Sequence, residues 1–267
     1  MNARRVGAIV LRQVYLLRGS PARVLPMFAW VAIDILLWGF ITRYLNSVSH
    51  AGFNFVPALL GAVLLWDFHG RVMQGVTMAF FEDVWSRNFL NLFATPLRTS
   101  EYLAGLVITG ICTSVLGLVA MLILATAVFG LSFASYGAAL APFLLVLFAM
   151  GIALGIFGAG IVLRLGPASE WLIWPIPSLI SPFAGVFYPI SVLPAWMRVI
   201  AKTLPPSYVF EGMRAVVAGK PIPWDSLAIG AGLSAVYVGL ACLFFASVYR
   251  HAIRTGLIAR YSAETVA

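Results

Sequence analysis

The sequence predicts an all-α polytopic membrane protein. It has six transmembrane helices, an interfacial N-terminal helix, an amphipathic cytoplasmic helix after the second span, and two short outer-leaflet re-entrant helices before the last. Three observations predict it. Of 267 residues, 62% are hydrophobic and 10% are charged, with a mean hydropathy of +0.99. A soluble chain spends about a quarter of its residues on charge, so this one lacks the polar groups to cover a water-facing surface. Apolar runs of roughly 20 residues, the length that crosses the hydrocarbon core, recur along the chain. Lys and Arg gather in the segments between them, as the positive-inside rule expects. That layout also argues against nucleic acid as the reason for the formal net charge of +8.

Residues 3–20 read as a helix on the membrane surface. Val6, Ile9, Val10, Val14 and Leu17 recur at spacings of three and four, with Arg4, Arg5, Arg12 and Arg18 on the other face and Leu11 out of pattern. The basic residues are spread widely and no small-residue cleavage site follows the first apolar run, so no cleavable leader is expected. The spans are predicted at 24–45, 55–80, 103–129, 138–163, 171–188 and 227–249, within one domain over 1–267. The third, fourth and sixth are almost free of charge. The second carries Asp67, His69 and Arg71, and either contains them or ends near Trp66.

Orientation follows from the cations. With both termini cytoplasmic, the inner segments hold Arg4, Arg5, Arg12, Arg18, Arg23, Arg87, Arg98, Arg164, Arg250, Arg254 and Arg260. The outer side holds Arg43, Arg198, Lys202, Arg214 and Lys220. Eleven against five, with Arg71 set aside, agrees with an even number of spans.

Residues 81–95 predict a helix along the cytoplasmic face. Phe81, Val84, Trp85, Phe89, Leu92 and Phe93 make its apolar stripe, Glu82, Asp83, Arg87 and Asn91 lie off it, and Pro96 ends it. It either packs beneath its own bundle or serves as a docking surface. Pro175 and Pro177 then fall in the fifth span, and Pro182, Gly185 and Pro189 follow. Broken helix at membrane depth needs protein or a water-filled cavity around it. Two short helices follow at 194–218, with Trp196, Val199 and Ile200 on one face of the first and Phe210, Met213 and Val217 turned inward on the second.

Enzymatic signatures do not emerge. His50, His69 and His251 are scattered, and Cys112 and Cys242 sit in apolar runs as small hydrophobes. There is no metal-ligand spacing, no G-x-S-x-G and no G-x-x-x-x-G-K-[ST]. If ATP powers this protein, another chain must bind the nucleotide. Asp34 and the Asp67, His69 and Arg71 group are the costly intramembrane residues, and two readings stand for them: a polar translocation path or polar contacts between helices.

Two segments carry a family resemblance. They are R-N-F-L-N-L-F-A-T-P-L-R-T-S-E-Y-L-A-G at 87–105 and L-P-A-W-M-R-V-I-A-K-T-L-P-P-S-Y-V-F-E-G-M-R at 193–214. The chain, from about residue 10 to 250, resembles the permease subunit of type 2 ABC exporters of the bacterial drug, polysaccharide and lipo-oligosaccharide efflux kind. The resemblance implies a six-span half-transporter in the cytoplasmic (inner) membrane, paired with a second copy or a related permease. Two cytoplasmic ATPase subunits would bind beneath it. No cofactor is implied in this chain; ATP and Mg2+ belong to the partner. It also implies a coupling helix seated in the ATPase, mapping here onto Glu82, Asp83, Trp85, Arg87 and Phe89. The helices bearing Pro194, Trp196, Pro205, Tyr208 and Arg214 would help close the exit. The alternatives are a secondary transporter or channel, for which no internal repeat is visible, a membrane-embedded lipid-modifying enzyme, and a non-transporting assembly subunit.

Overall fold

A computed structural model describes residues 2–48, 56–86, 91–92, 95–131, 136–137 and 139–257. Among the described residues the chain is helical without strands. The order is α1 (Ala3–Arg18), α2 (Pro21–Val48), α3 (Gly61–Trp85), α4 (Thr99–Phe129), α5 (Leu140–Leu165), α6 (Ile176–Ala184), α7 (Ala195–Ala201), α8 (Pro205–Val217) and α9 (Trp224–Arg254). Short helical turns at Val56–Leu60, Pro167–Leu172 and Ile190–Val192 join some of them.

Four helices are long and apolar enough to cross a membrane among the described residues: Phe28–Val48 of α2, then α4, α5 and α9. With 25 residues α3 has the length as well, rising about 37 Å, but it carries Asp67, His69 and Arg71. The helix runs unbroken through them and on to Trp85. Their placement explains the continuity. His69 is fully buried, with its Nδ1 3.0 Å from the Leu147 carbonyl oxygen, and the bundle, not lipid, surrounds this stretch.

Packing is densest around α5, which lies against α9 and α3, and α3 in turn packs on α4. Gly151 and Gly155, one turn apart on α5, let the α3 and α5 backbones approach. A Cβ on Gly151 would lie 2.9 Å from the His69 carbonyl oxygen, and one on Gly155 2.9 Å from that of Met73. Small residues at this spacing replace the hydrophobic driving force that lipid removes. Gly75 and Gly110 make the matching close approach between α3 and α4. One buried cluster gathers around Phe80, Phe81, Tyr102 and Phe245, and a second around Phe68, Phe143, Phe210 and Leu227. On α2, by contrast, Trp30, Ile33, Leu37, Phe40 and Tyr44 stay exposed.

The fifth predicted span, 171–188, is not one helix. After α5 the chain turns at Gly166, whose φ of 105° suits glycine. The 3-10 turn Pro167–Leu172 follows, and only Ile176–Ala184 is α-helical. Nine residues rise about 14 Å, half the hydrocarbon thickness. Pro175 and Pro177 at the start and Gly185 in the left-handed region at the end confine it. The predicted helix over 81–95 is also redrawn. Residues 81–85 are the last turn of α3 itself, because no breaker separates them from the span. The two short helices predicted within 194–218 form as α7 and α8.

Candidate functional site

α1, the C-terminal end of α3 and the N-terminal end of α4 are tied into one unit. Asn2 caps α1 by accepting from the Arg4 N–H at 3.0 Å, and its own N–H donates to Glu101 Oε1 at 2.7 Å. Glu101 Oε2 accepts from the Arg98 N–H at 3.1 Å and from Arg5 at 3.3 Å. Two turns along α1 from Arg5, Arg12 donates to Asp83 Oδ1. The other oxygen of Asp83 accepts from the Tyr102 hydroxyl at 2.7 Å. Gln13 donates to the Ala79 carbonyl at 3.0 Å, and Ile9 sits against Gly105, where a Cβ would meet it at 2.6 Å.

This geometry revises two expectations. The apolar stripe of α1 does not all face lipid. Val6 and Ile9 are buried against the bundle, whereas Leu11, Val14 and Tyr15 are exposed. Arg5 and Arg12 turn inward, because a cation close to a buried carboxylate offsets the cost of burying that charge; Arg4 and Arg18 remain outside. Asp83 is completely buried and spends both oxygens on Arg12 and Tyr102. It therefore holds the chain's own helices and offers no charge to a partner. Phe81 is likewise buried, packing on Trp85 and Trp174 at ring-centroid distances of 5.7 and 6.5 Å.

Trp85 stands differently. It is 47% exposed, and its indole N–H donates to Glu170 Oε2 at 3.0 Å, joining the end of α3 to the Pro167–Leu172 turn. Glu82 is half-buried beside it. Arg87 and Phe89, the remaining residues expected here, lie outside the described residues. Leu165, Trp171 and Leu172 are exposed on the joined turn and its approach, giving this end a large aromatic and apolar surface.

At the opposite end Arg214 pins the broken segment. Its Nη1 donates to the Gly185 carbonyl at 2.7 Å, and its Nη2 pairs with Glu211 Oε1 at 2.9 Å. The same oxygen accepts the Ile190 N–H at 2.7 Å. Tyr208 donates to the Lys202 carbonyl at 2.7 Å, holding α7 to α8. Pro194 and Pro205 start those two helices. Trp196, largely exposed, meets Phe183 edge-on at 6.1 Å. Phe187 stacks on Trp38 at 5.2 Å, tying the loop to α2.

Of the intramembrane residues, Asp34, Asp67 and Arg71 are brought within electrostatic reach of one another. His69 is separated from them, turned toward α5. Glu101, Tyr102, Glu170 and Glu211 do not stand out in the sequence, and Arg12 reads there only as part of the basic face of the N-terminal helix. Only the i,i+3 pairing of Glu211 with Arg214 was readable there.

No curated protein matches the chain. The model of one family, described as ABC-2 type transporter, matches residues 18–218. That match covers three quarters of the sequence and takes in α2 through α8. Such a subunit is a transporter component, not a catalyst, and works with an ABC ATPase. With its apolar helices, the chain belongs to the ABC-2 type transporter family as a multi-pass membrane permease subunit of an ABC transporter.

Proposed function

We propose that this permease is the membrane half of an ATP-driven exporter in the bacterial cytoplasmic membrane. Two copies, or one copy and a related permease, would assemble with two cytoplasmic ATPase subunits that bind ATP and Mg2+. Both chain termini lie in the cytoplasm, and the fifth crossing is made in pieces by the Pro167–Leu172 turn, α6 and the loop after it. The cargo is amphipathic: drug-like, lipid-linked or saccharide-bearing.

One observation supports this reading most. The helix α3 carries Asp67, His69 and Arg71 and, on the same rod, the exposed Trp85 at its cytoplasmic end. A displacement imposed at Trp85 by a closing ATPase is thereby delivered to the middle of the bundle. Two discrete helix arrangements biased from one end are what such coupling requires. The tie of α1 to α3 and α4 makes the moving unit larger than the loop alone. α7 and α8, packed at the outer end, serve as re-entrant elements that close the exit.

The test is reconstitution. The purified permease alone should hydrolyse no ATP, because it carries no phosphate-binding loop. Co-expressed with its ATPase, it should give a complex with two copies of each and ATP-dependent efflux from vesicles. Transport by the permease alone, insensitive to ATP, would contradict the proposal.

A further inference from the structure

α5 and α9 pack side by side, yet near their N-termini a groove stays open between them. On α5, Leu145, Val146 and Ala149 line it; on α9, Trp224, Leu227, Ala228 and Ala231 do. These positions recur at spacings of three and four, so each set is one stripe of its helix. The groove has a volume of about 300 Å³. Val146 and Leu227 are buried at its floor, while Leu145, Trp224, Ala228 and Ala231 stay exposed along its sides.

Side-chain size makes the gap. Ala149, Ala228 and Ala231 are too short to meet across the seam. Further along the same helices, the larger Ile152, Ile156, Val238 and Cys242 pack into the cluster around Phe245, and the groove ends there. The seam itself is fastened: the fully buried Ser234 donates to the Val146 carbonyl at 3.2 Å.

Both walls belong to helices long and apolar enough to cross a membrane, so the medium around the groove is hydrocarbon. A neighbouring helix, about 10–12 Å across, would rest on Leu145 and Trp224 and leave the floor empty. Such a void forfeits dispersion contacts on every atom lining it. A single methylene chain is thin and flexible enough to reach the floor. The lining side chains carry no polar atom except the Trp224 indole N–H, and Trp224 is the first residue of α9. An indole at the end of a spanning helix keeps its ring against hydrocarbon and its N–H toward the headgroup level.

We propose that this groove seats one acyl chain of a membrane phospholipid as a resident part of the subunit, with Trp224 at the chain's ester end. The site requires only that α5 and α9 span the membrane. It holds whichever way the chain is oriented and whatever cargo it moves.

The test uses the full-length permease in detergent, supplied with a phosphatidylethanolamine that carries a photoreactive diazirine midway along one acyl chain. Labelled residues are mapped by mass spectrometry after irradiation. Label should concentrate on Ala149, Ala228 and Ala231, saturate as lipid is added, and fall when unlabelled phospholipid competes. Ile229 and Val236, comparably exposed on α9 but outside the groove, should take label only in proportion to the lipid added. Ala228→Phe and Ala231→Phe fill the groove from exposed positions. Each should cut its label to the level at Ile229 while the thermal unfolding midpoint is kept or raised. Should a variant fail to fold, the contrast between the groove and Ile229 in the unaltered protein still decides. Label spread evenly over exposed α9, or undiminished in the folded Phe variants, overturns the proposal. So does disulfide cross-linking of Ala228→Cys between two copies without lipid label, since a second copy would then cover the groove.

Discussion

Arg12 of the N-terminal helix is paired with Asp83, 71 residues away at the end of α3, and Tyr102 of α4 completes the contact. The three residues fasten an amphipathic helix to the bundle through a buried charge instead of leaving it afloat on headgroups. Removing one partner of a buried pair costs about 3–5 kcal/mol, whereas deleting a neutral hydrogen bond to the same carboxylate costs about 1–3 kcal/mol. Arg12→Ala should therefore lower the unfolding midpoint in detergent more than Tyr102→Phe does. Adding Asp83→Asn to Arg12→Ala should recover part of the loss. Thermal unfolding of the four proteins checks the order, and equal, additive losses would show the pair is not coupled.

The glycines divide into those that carry a helix contact and those that do not. Gly151→Leu and Gly155→Leu should push α5 off α3 and destabilise by about 1–3 kcal/mol or more. Gly232→Ala and Gly239→Ala meet nothing within 4 Å and should leave stability unchanged or raise it by up to about 1 kcal/mol through helix propensity. Detergent-resistance or thermal-shift assays separate the two groups.

Arg214 holds the turn at Gly185 from α8, and Glu211 holds Ile190. Arg214→Ala should free the 185–192 loop. Cysteines placed at Tyr188 or Val192 should then react faster with a soluble thiol reagent, with little effect on co-purification of a cytoplasmic partner. An unchanged labelling rate would remove Arg214 as the pin.

Orientation is open to direct test. Ser47 lies at the C-terminal end of α2 and Ser86 just beyond α3, and both are exposed. In a chain lacking Cys112 and Cys242, single cysteines at these sites should label from opposite sides of the membrane. Labelling from one side contradicts the topology.

How far the sequence reaches depends on the range of each interaction. The long spans were legible because lipid rewards continuous apolar runs, and α2, α4, α5 and α9 lie within a few residues of their predicted bounds. The proline cluster announced a disturbed fifth span, though not that its α-helical part shrinks to nine residues. Asp83 was misread because an acid on the polar side of a local stripe looks solvent-facing. Its partners Arg12 and Tyr102 are distant in sequence, and only the tertiary fold turns it inward. The G-x-x-x-G pair at Gly151 and Gly155 was a readable signal that hydropathy alone passes over.

The central claim is that the end of α3 is where the ATPase engages this permease. The buried Asp83 is unsuited to the test, since altering it breaks the tie to α1. Trp85 and Glu82 are the residues to change. The most direct measurement is co-purification of the ATPase with membrane-inserted Trp85→Ala, Trp85→Phe and Glu82→Lys variants, alongside ATP-dependent efflux. An aromatic anchor seated in a partner's pocket is worth about 2 kcal/mol or more. Trp85→Ala should thus weaken association roughly thirtyfold and abolish efflux at normal abundance. Trp85→Phe, which loses the bond to Glu170 but keeps a ring, should retain more of both, and Glu82→Lys should weaken docking by reversing a local charge. Wild-type association and efflux in all three variants would contradict the account.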